Sequence, residues 1–181
     1  MHRSAFAIAT ALTVLCMAAR AHDRRVVDTV VAGNPASETS HGYAGHDATS
    51  GMADGKSFRE ARGWIRYALT TFDDTEVTLA WTFAPSAGEG ANVSRAYDVV
   101  VEDSLVATRS YDALSSTVPV VEIVVPFALT KGRTNIAVML RARGGSTPLL
   151  REVRVIQDHN EQMDEAQNEQ QRIRHTPQAT Q

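Results

Sequence analysis

From Trp64 onward the chain alternates between apolar and polar positions. The segment GWIRYALT sets Trp64, Arg66 and Ala68 on one side of an extended backbone and Ile65, Tyr67 and Leu69 on the other. Successive strand side chains point to opposite faces, so this period of two predicts a strand with one buried face. Residues 75–83 (TEVTLAWTF) repeat it, with Val77, Leu79 and Trp81 on one face. Residues 97–101 (YDVVV) and 105–108 (LVAT) flank a turn at Glu102-Asp103-Ser104. Residues 118–125 (VPVVEIVV) are strongly β-branched, and Pro119 marks that run as an edge or a strand start. Residues 135–143 place Ile136, Val138 and Leu140 inward, Gly144-Gly145-Ser146 turns the chain, and residues 149–156 close the set. Seven short strand candidates with turn signals between them, and no convincing helix, predict an all-β antiparallel β-sandwich or jelly roll over residues 57–156.

The ends read differently. Arg3, an apolar run over residues 5–18 and Ala19-Arg20-Ala21 have the layout of a secretory signal cleaved after Ala21. The run is shorter than the roughly 20 apolar residues a spanning helix needs, so no membrane span is expected after cleavage. A lipoprotein anchor on Cys16 is disfavoured because Leu15 precedes it. Val26, Val27, Val30 and Val31 predict a short edge strand. Residues 33–55 are rich in Gly, Ser, Thr, Asp and His without any period, which predicts a long loop or approach segment. Residues 157–181 are rich in Gln, Glu, Asn and Asp and lack an apolar stripe, which predicts a frayed helix or a disordered polar tail.

Charge and cysteine content narrow the chemistry. The net charge is −3 and no basic stripe runs along the chain, which argues against nucleic acid as a partner. The single cysteine falls within the expected signal, so the mature chain would carry no disulfide, thiolate nucleophile or cysteine-based metal site. Export without cysteine suits a bacterial periplasmic or secreted protein. Asp73 and Asp74 are adjacent and read as a turn rather than an acid–base pair. There is no G-x-S-x-G elbow, and Gly88-Glu89-Gly90 is too short for a phosphate loop. No cofactor is expected.

Five residues are candidates for binding. Glu38 and His41 stand three apart in the polar segment. They are either a ligand or metal pair, or groups that hydrogen-bond backbone amides and pin the segment to the sandwich. A metal site needs three or four ligands, and His46 and Asp47 nearby complete no known spacing, so no metal is expected. Arg59, Trp64 and Tyr67 are the other three. An aromatic face stacks on sugar C–H groups and an arginine fork donates to hydroxyls. Trp64 and Tyr67 differ in parity, however, which separates them unless a bulge intervenes, and Arg59 has a carboxylate such as Glu38 as an alternative partner. Trp81, mid-strand among apolar neighbours, reads as core.

Several blocks together carry a resemblance: SETSHGYAGHDATSG, KSFREARGWIRYAL, YDVVVEDSLVAT and VVPFALTKGRTNIAVMLRARGG. In order and spacing they resemble the C-terminal β-sandwich domain, of uncharacterised function, of β-L-arabinofuranosidase-like glycoside hydrolases (family 127 and relatives). The matching positions are Glu38, His41, Ser50, Gly51, Arg59, Ala61, Gly63, Trp64 and Tyr67, then Asp98, Val101, Pro126, Leu129 and Gly132, within roughly residues 26–156. Glu102-Asp103-Ser104 departs from the Asp-Gly turn of that pattern, so this hairpin must turn differently or carry one more residue. The resemblance implies a galactose-binding-like sandwich without the catalytic barrel, hence no catalytic residues. It implies an exported accessory module that binds glycan or packs on a separate glycoside hydrolase, or else a structural or protein-interaction domain left from a split glycoside hydrolase.

Overall fold

The computed structural model describes residues 23–72, 75–85, 95–111 and 120–159. The expected export signal, Pro119, Gly88-Glu89-Gly90, the Asp73-Asp74 turn and residues 160–181 lie outside them. Nine strands and two short helices follow in the order β1 (Asp23–Val31), α1 (Pro35–Ser40), β2 (Ala44–Ala53), β3 (Lys56–Thr70), β4 (Val77–Phe83), β5 (Arg95–Val101), β6 (Ser104–Tyr111), β7 (Val120–Val125), α2 (Phe127–Thr130), β8 (Asn135–Arg143) and β9 (Leu150–His159).

Every strand pairing is antiparallel. One run of neighbours is β6-β5-β8-β3-β2 and the other is β1-β9-β4-β7. A single residue pair, Arg59 with Leu150, links them through β3 and β9. The sheet therefore folds into a five-stranded and a four-stranded layer. Ile65, Tyr67 and Leu69 of β3, Val138 and Leu140 of β8, and Tyr97 and Val99 of β5 meet Val77, Leu79, Trp81 and Phe83 of β4 and Val153 and Val155 of β9 in one core. Within it the Phe83 ring lies 5.5 Å from the Tyr97 ring and 5.4 Å from the Tyr111 ring. This is the antiparallel all-β sandwich that the alternation predicts. Burial pushes the Tyr97 hydroxyl up to about 12, so it stays neutral inside the core.

The structure differs from the sequence pattern at two places. Residues 33–55, expected as a loop, form α1 and the edge strand β2. Asn34 caps α1, its Oδ1 accepting the Ser37 N–H at 3.1 Å, and Pro35 opens the first turn. Gly33 makes the turn from β1 into α1 at φ 74°, and a Cβ there would lie 2.4 Å from the Phe58 carbonyl oxygen, so only glycine fits. At the other end, β9 continues past Ile156 to His159 because β1 pairs alongside it, Asp23 opposite His159. The described strands of the sandwich thus run from Asp23 to His159.

The β5–β6 hairpin shows how the missing glycine is accommodated. Glu102 and Asp103 both adopt positive φ, 48° and 61°, the pattern of a type I′ turn. The register shifts between Val99 and Val100, giving β6 one extra residue. Glu102 is held there by accepting the Ala137 N–H at 2.7 Å and pairing with Arg133 at 3.0 Å.

Candidate functional site

Four of the five candidate residues converge beneath α1. Glu38 is 4 % exposed on the inner side of the helix. Its Oε1 accepts the Gly33 N–H at 2.8 Å, Arg59 Nε at 3.0 Å and the Tyr67 hydroxyl at 2.9 Å, while its Oε2 accepts Arg59 Nη2. The Arg59 guanidinium also lies over the Tyr43 ring, 4.3 Å from its centroid. Burial raises the Glu38 pKa, but the Arg59 fork and the Gly33 and Tyr67 donors outweigh it and hold the carboxyl below its usual range. Burial, with the Glu38 charge beside it, pushes the Tyr67 hydroxyl far up.

His41 closes α1 and faces β1. Its Nδ1 lies 2.6 Å from the Ser37 carbonyl and its Nε2 lies 3.0 Å from Asp28 Oδ1. Both of these partners accept, so each favours a proton on the ring nitrogen that faces it. Burial lowers the His41 pKa, yet the Ser37 carbonyl and Asp28 overcome this and leave it raised. Asp28 also accepts the Thr70 N–H at 2.7 Å and the Thr29 N–H at 2.8 Å, and its pKa is lowered although burial opposes this. The His41 carbonyl accepts the Ala68 N–H at 2.8 Å. Together these bonds fasten α1 to β1 and β3. With its Glu38 oxygens filled, this cluster offers a ligand little.

Trp64 stands apart from the other four. Tyr67 is 1 % exposed in the core, whereas Trp64 is half-buried on the outer face of the five-stranded layer. Its cross-strand partners are His46 of β2 and Arg141 of β8. A Cβ on the neighbouring Gly63 would lie 2.5 Å from both His46 Nδ1 and the His46 carbonyl oxygen, so glycine lets β2 come this close. Arg141 in turn faces Asp98 of β5, whose side chain is only 5 % exposed. Asp98 accepts Arg141 Nη2 at 2.8 Å, the Thr108 hydroxyl at 2.7 Å and Arg143 Nη1 at 3.4 Å. Burial raises the Asp98 pKa, but Arg141 and Thr108 draw it below the usual range. The row His46–Trp64–Arg141–Asp98–Thr108 therefore crosses all five strands. A buried carboxylate holds two half-exposed arginines in place, and one of them, Arg141, lies cross-strand from an indole. Such a row can stack an apolar sugar face and donate to hydroxyls, with less ordering cost than free arginines would carry.

Sequence patterning did not single out Tyr43, Asp28 or Arg141, nor pair His46 with Trp64. Their roles depend on cross-strand register, which composition does not encode. Among the described residues no group of three or more His, Cys, Asp or Glu side chains is placed to hold a metal ion, and no helix is long and apolar enough to cross a membrane.

Comparison with known proteins places this architecture. The sequence model of a family of unknown function, DUF6805, matches residues 21–156. The chain belongs to DUF6805. No curated protein matches the sequence. Among solved structures, this DUF6805 sandwich is similar to a family 35 carbohydrate binding module from an environmental isolate, with TM-score 0.52 and 18% identity over 72% of this chain and 96% of the other. It is also similar to part of a family GH115 4-O-methyl-α-glucuronidase with specificity for decorated arabinogalactans. That match has TM-score 0.51 and 14% identity, and covers 86% of this chain and 19% of the other. At these identities the likeness is one of fold.

Proposed function

We propose that this DUF6805 chain is a non-catalytic accessory module of a carbohydrate-active enzyme system and that it binds glycan on the outer face of its five-stranded layer. It acts outside the cytoplasm, in the periplasm or beyond, after removal of an export signal behind Ala21. Its lineage is that of the C-terminal sandwich of β-L-arabinofuranosidase-like hydrolases. One observation carries the binding claim: Trp64 lies between His46 and Arg141 on a solvent-facing sheet, with Arg141 held by the buried Asp98. The shared fold with a carbohydrate binding module supports it.

Glycan-array screening of the purified protein, with plant arabinans included, tests the claim. Binding that Trp64→Ala abolishes and Tyr67→Phe preserves is the expected result. Equal binding by wild type and Trp64→Ala moves the site elsewhere, and binding to no glycan removes the reading.

A second reading is favoured by a specific observation. Glu38, His41, Arg59 and Tyr67 are all engaged within the fold, as in a structural or protein-interaction domain left from a split hydrolase. Co-purification with a separate glycoside hydrolase, unchanged by Trp64→Ala, would favour that reading.

A further inference from the structure

Arg66 follows Trp64 by two residues on β3, so the two side chains leave the same face of the sheet. The cross-strand partners of Arg66 are Ala44 of β2 and Met139 of β8. On its diagonals lie His46 of β2 and Ala137 and Arg141 of β8. None of these is a carboxylate, and one is a second arginine. Long side chains reach their diagonal neighbours, so these two like charges repel. Arg66 is exposed and forms no ion pair among the described residues. Short neighbours at Ala44, Ala68 and Ala137 leave its guanidinium open to solvent.

The imbalance extends across the layer. Its five strands carry eight Lys and Arg against three Asp and Glu, although the whole chain is net −3, so cations are concentrated on this side. Of the three carboxylates, Glu60 is engaged by Arg95 at 3.0 Å. Asp47 is the residue skipped at the β2 bulge, on the edge strand and two strands from Arg141. Asp98 is buried, and its one charge answers two arginines. Arg141 and Arg143 nevertheless keep 49% and 54% of their side chains exposed. A guanidinium has five N–H donors, and Asp98 and Thr108 engage a single nitrogen of each arginine, so donors remain for a ligand. Around Trp64, three accessible cations thus stand against one buried carboxylate. That arrangement costs stability in the free protein, and an anion docked between Arg66 and Arg141 relieves it.

We propose that the Trp64 face selects glycans with an anionic substituent, carboxylate or sulfate ester, the sugar ring resting on the indole and the anion lying between Arg66 and Arg141. The selectivity rests on the glycan-binding reading and gives that site its ligand class. A planar guanidinium meets a carboxylate or sulfate in a two-point fork, and the opposite charges strengthen each bond.

The test is calorimetry of the purified protein with four probes: oligogalacturonate, its uncharged methyl ester, dextran sulfate and neutral arabinan. Arg66→Gln removes the charge, Arg66→Lys keeps it without the fork, and Lys56→Gln removes an exposed charge from the far end of β3. The expected result is binding of an acidic probe, with Kd weakened roughly tenfold in Arg66→Gln, as for loss of one charge-assisted contact, and restored in part in Arg66→Lys. Lys56→Gln should stay within about twofold of wild type, and Trp64→Ala should abolish binding. Carboxylate and sulfate ester are told apart by which acidic probe binds more tightly. Arg66→Gln should unfold at the wild-type temperature or above it, and a fall of several degrees would show the charge to be used within the fold and overturn the selectivity. Acidic-probe binding unchanged in Arg66→Gln, or weakened as much by Lys56→Gln, overturns the selectivity while the glycan reading stands. Arabinan or the methyl ester bound as tightly as the acid does the same. Binding to none of the four also overturns it, and the glycan array decides the broader reading separately.

Discussion

Replacing Glu38 by Gln tests whether the cluster beneath α1 holds the fold together. The substitution keeps the shape and removes the charge. Arg59, with 14% of its side chain exposed, then keeps its cation without a counter-charge. The new amide N–H₂ would face a guanidinium, donor against donor. Breaking a buried pair by removing one partner costs about 3–5 kcal/mol. The Gln carbonyl can still accept from Gly33 or Tyr67, so the lower end, about 3 kcal/mol, is expected. For a chain of this size that lowers Tm by about 6–12 °C. Tyr67→Phe removes one donor from a carboxylate that keeps its others, and should cost about 1–1.5 kcal/mol. Urea unfolding of the single variants and of the Glu38→Gln/Arg59→Met double variant gives the coupling. It should exceed about 2 kcal/mol, since the two side chains are in direct contact. A Glu38→Gln variant within about 0.5 kcal/mol of wild type, with an unchanged m-value, would refute the reasoning.

Other outcomes follow from the same contacts. His41 has a raised folded pKa, so its contribution is complete below its ordinary value of 6.5 and disappears as pH rises through the folded value. Asp28 is depressed, so its share is complete above 3.8 and disappears only as pH falls through the lower folded value. Wild type should therefore lose stability relative to His41→Gln as pH is raised from 6 to 9, and parallel urea midpoints across that range would contradict the raised His41 pKa. Asp103→Gly relieves positive φ in the β5–β6 turn, and calorimetry should show a gain on the order of 0.5–1 kcal/mol; a loss would mean the Asp103 side chain matters there. Expressed from its full sequence, the exported product should begin at His22 by intact mass, and a product that retains Met1 in the periplasm would contradict cleavage after Ala21.

Alternation made the layers legible wherever one face of a strand is apolar. Ile136, Val138 and Leu140 could be placed inward, as could Val77, Leu79 and Trp81, because a two-residue period has one reading once a core exists. The edge strand β2 has no such contrast. Its residues AGHDATSGMA are polar on both faces, and its place is decided by pairing with β3. Helix α1 is six residues long, too short for a helical period to register, although Asn34-Pro35 is a start signal that can be read. Parity separated Trp64 from Tyr67, and the partner of Arg59 was within reach because Glu38 is a nearby carboxylate. The Arg141–Asp98 pair was out of reach. The two residues are 43 positions apart, and only the order β5-β8-β3 brings them beside Trp64.

The most direct measurement uses the chain's two tryptophans, Trp64 and Trp81, each with one indole N–H signal in a ¹⁵N-correlated NMR spectrum. Trp81 is sealed in the core and Trp64 lies on the sheet face. Titration with the glycan selected on the array should move the Trp64 indole signal progressively and leave that of Trp81 in place. Saturable binding with both indoles unmoved would contradict a glycan site on the Trp64 face.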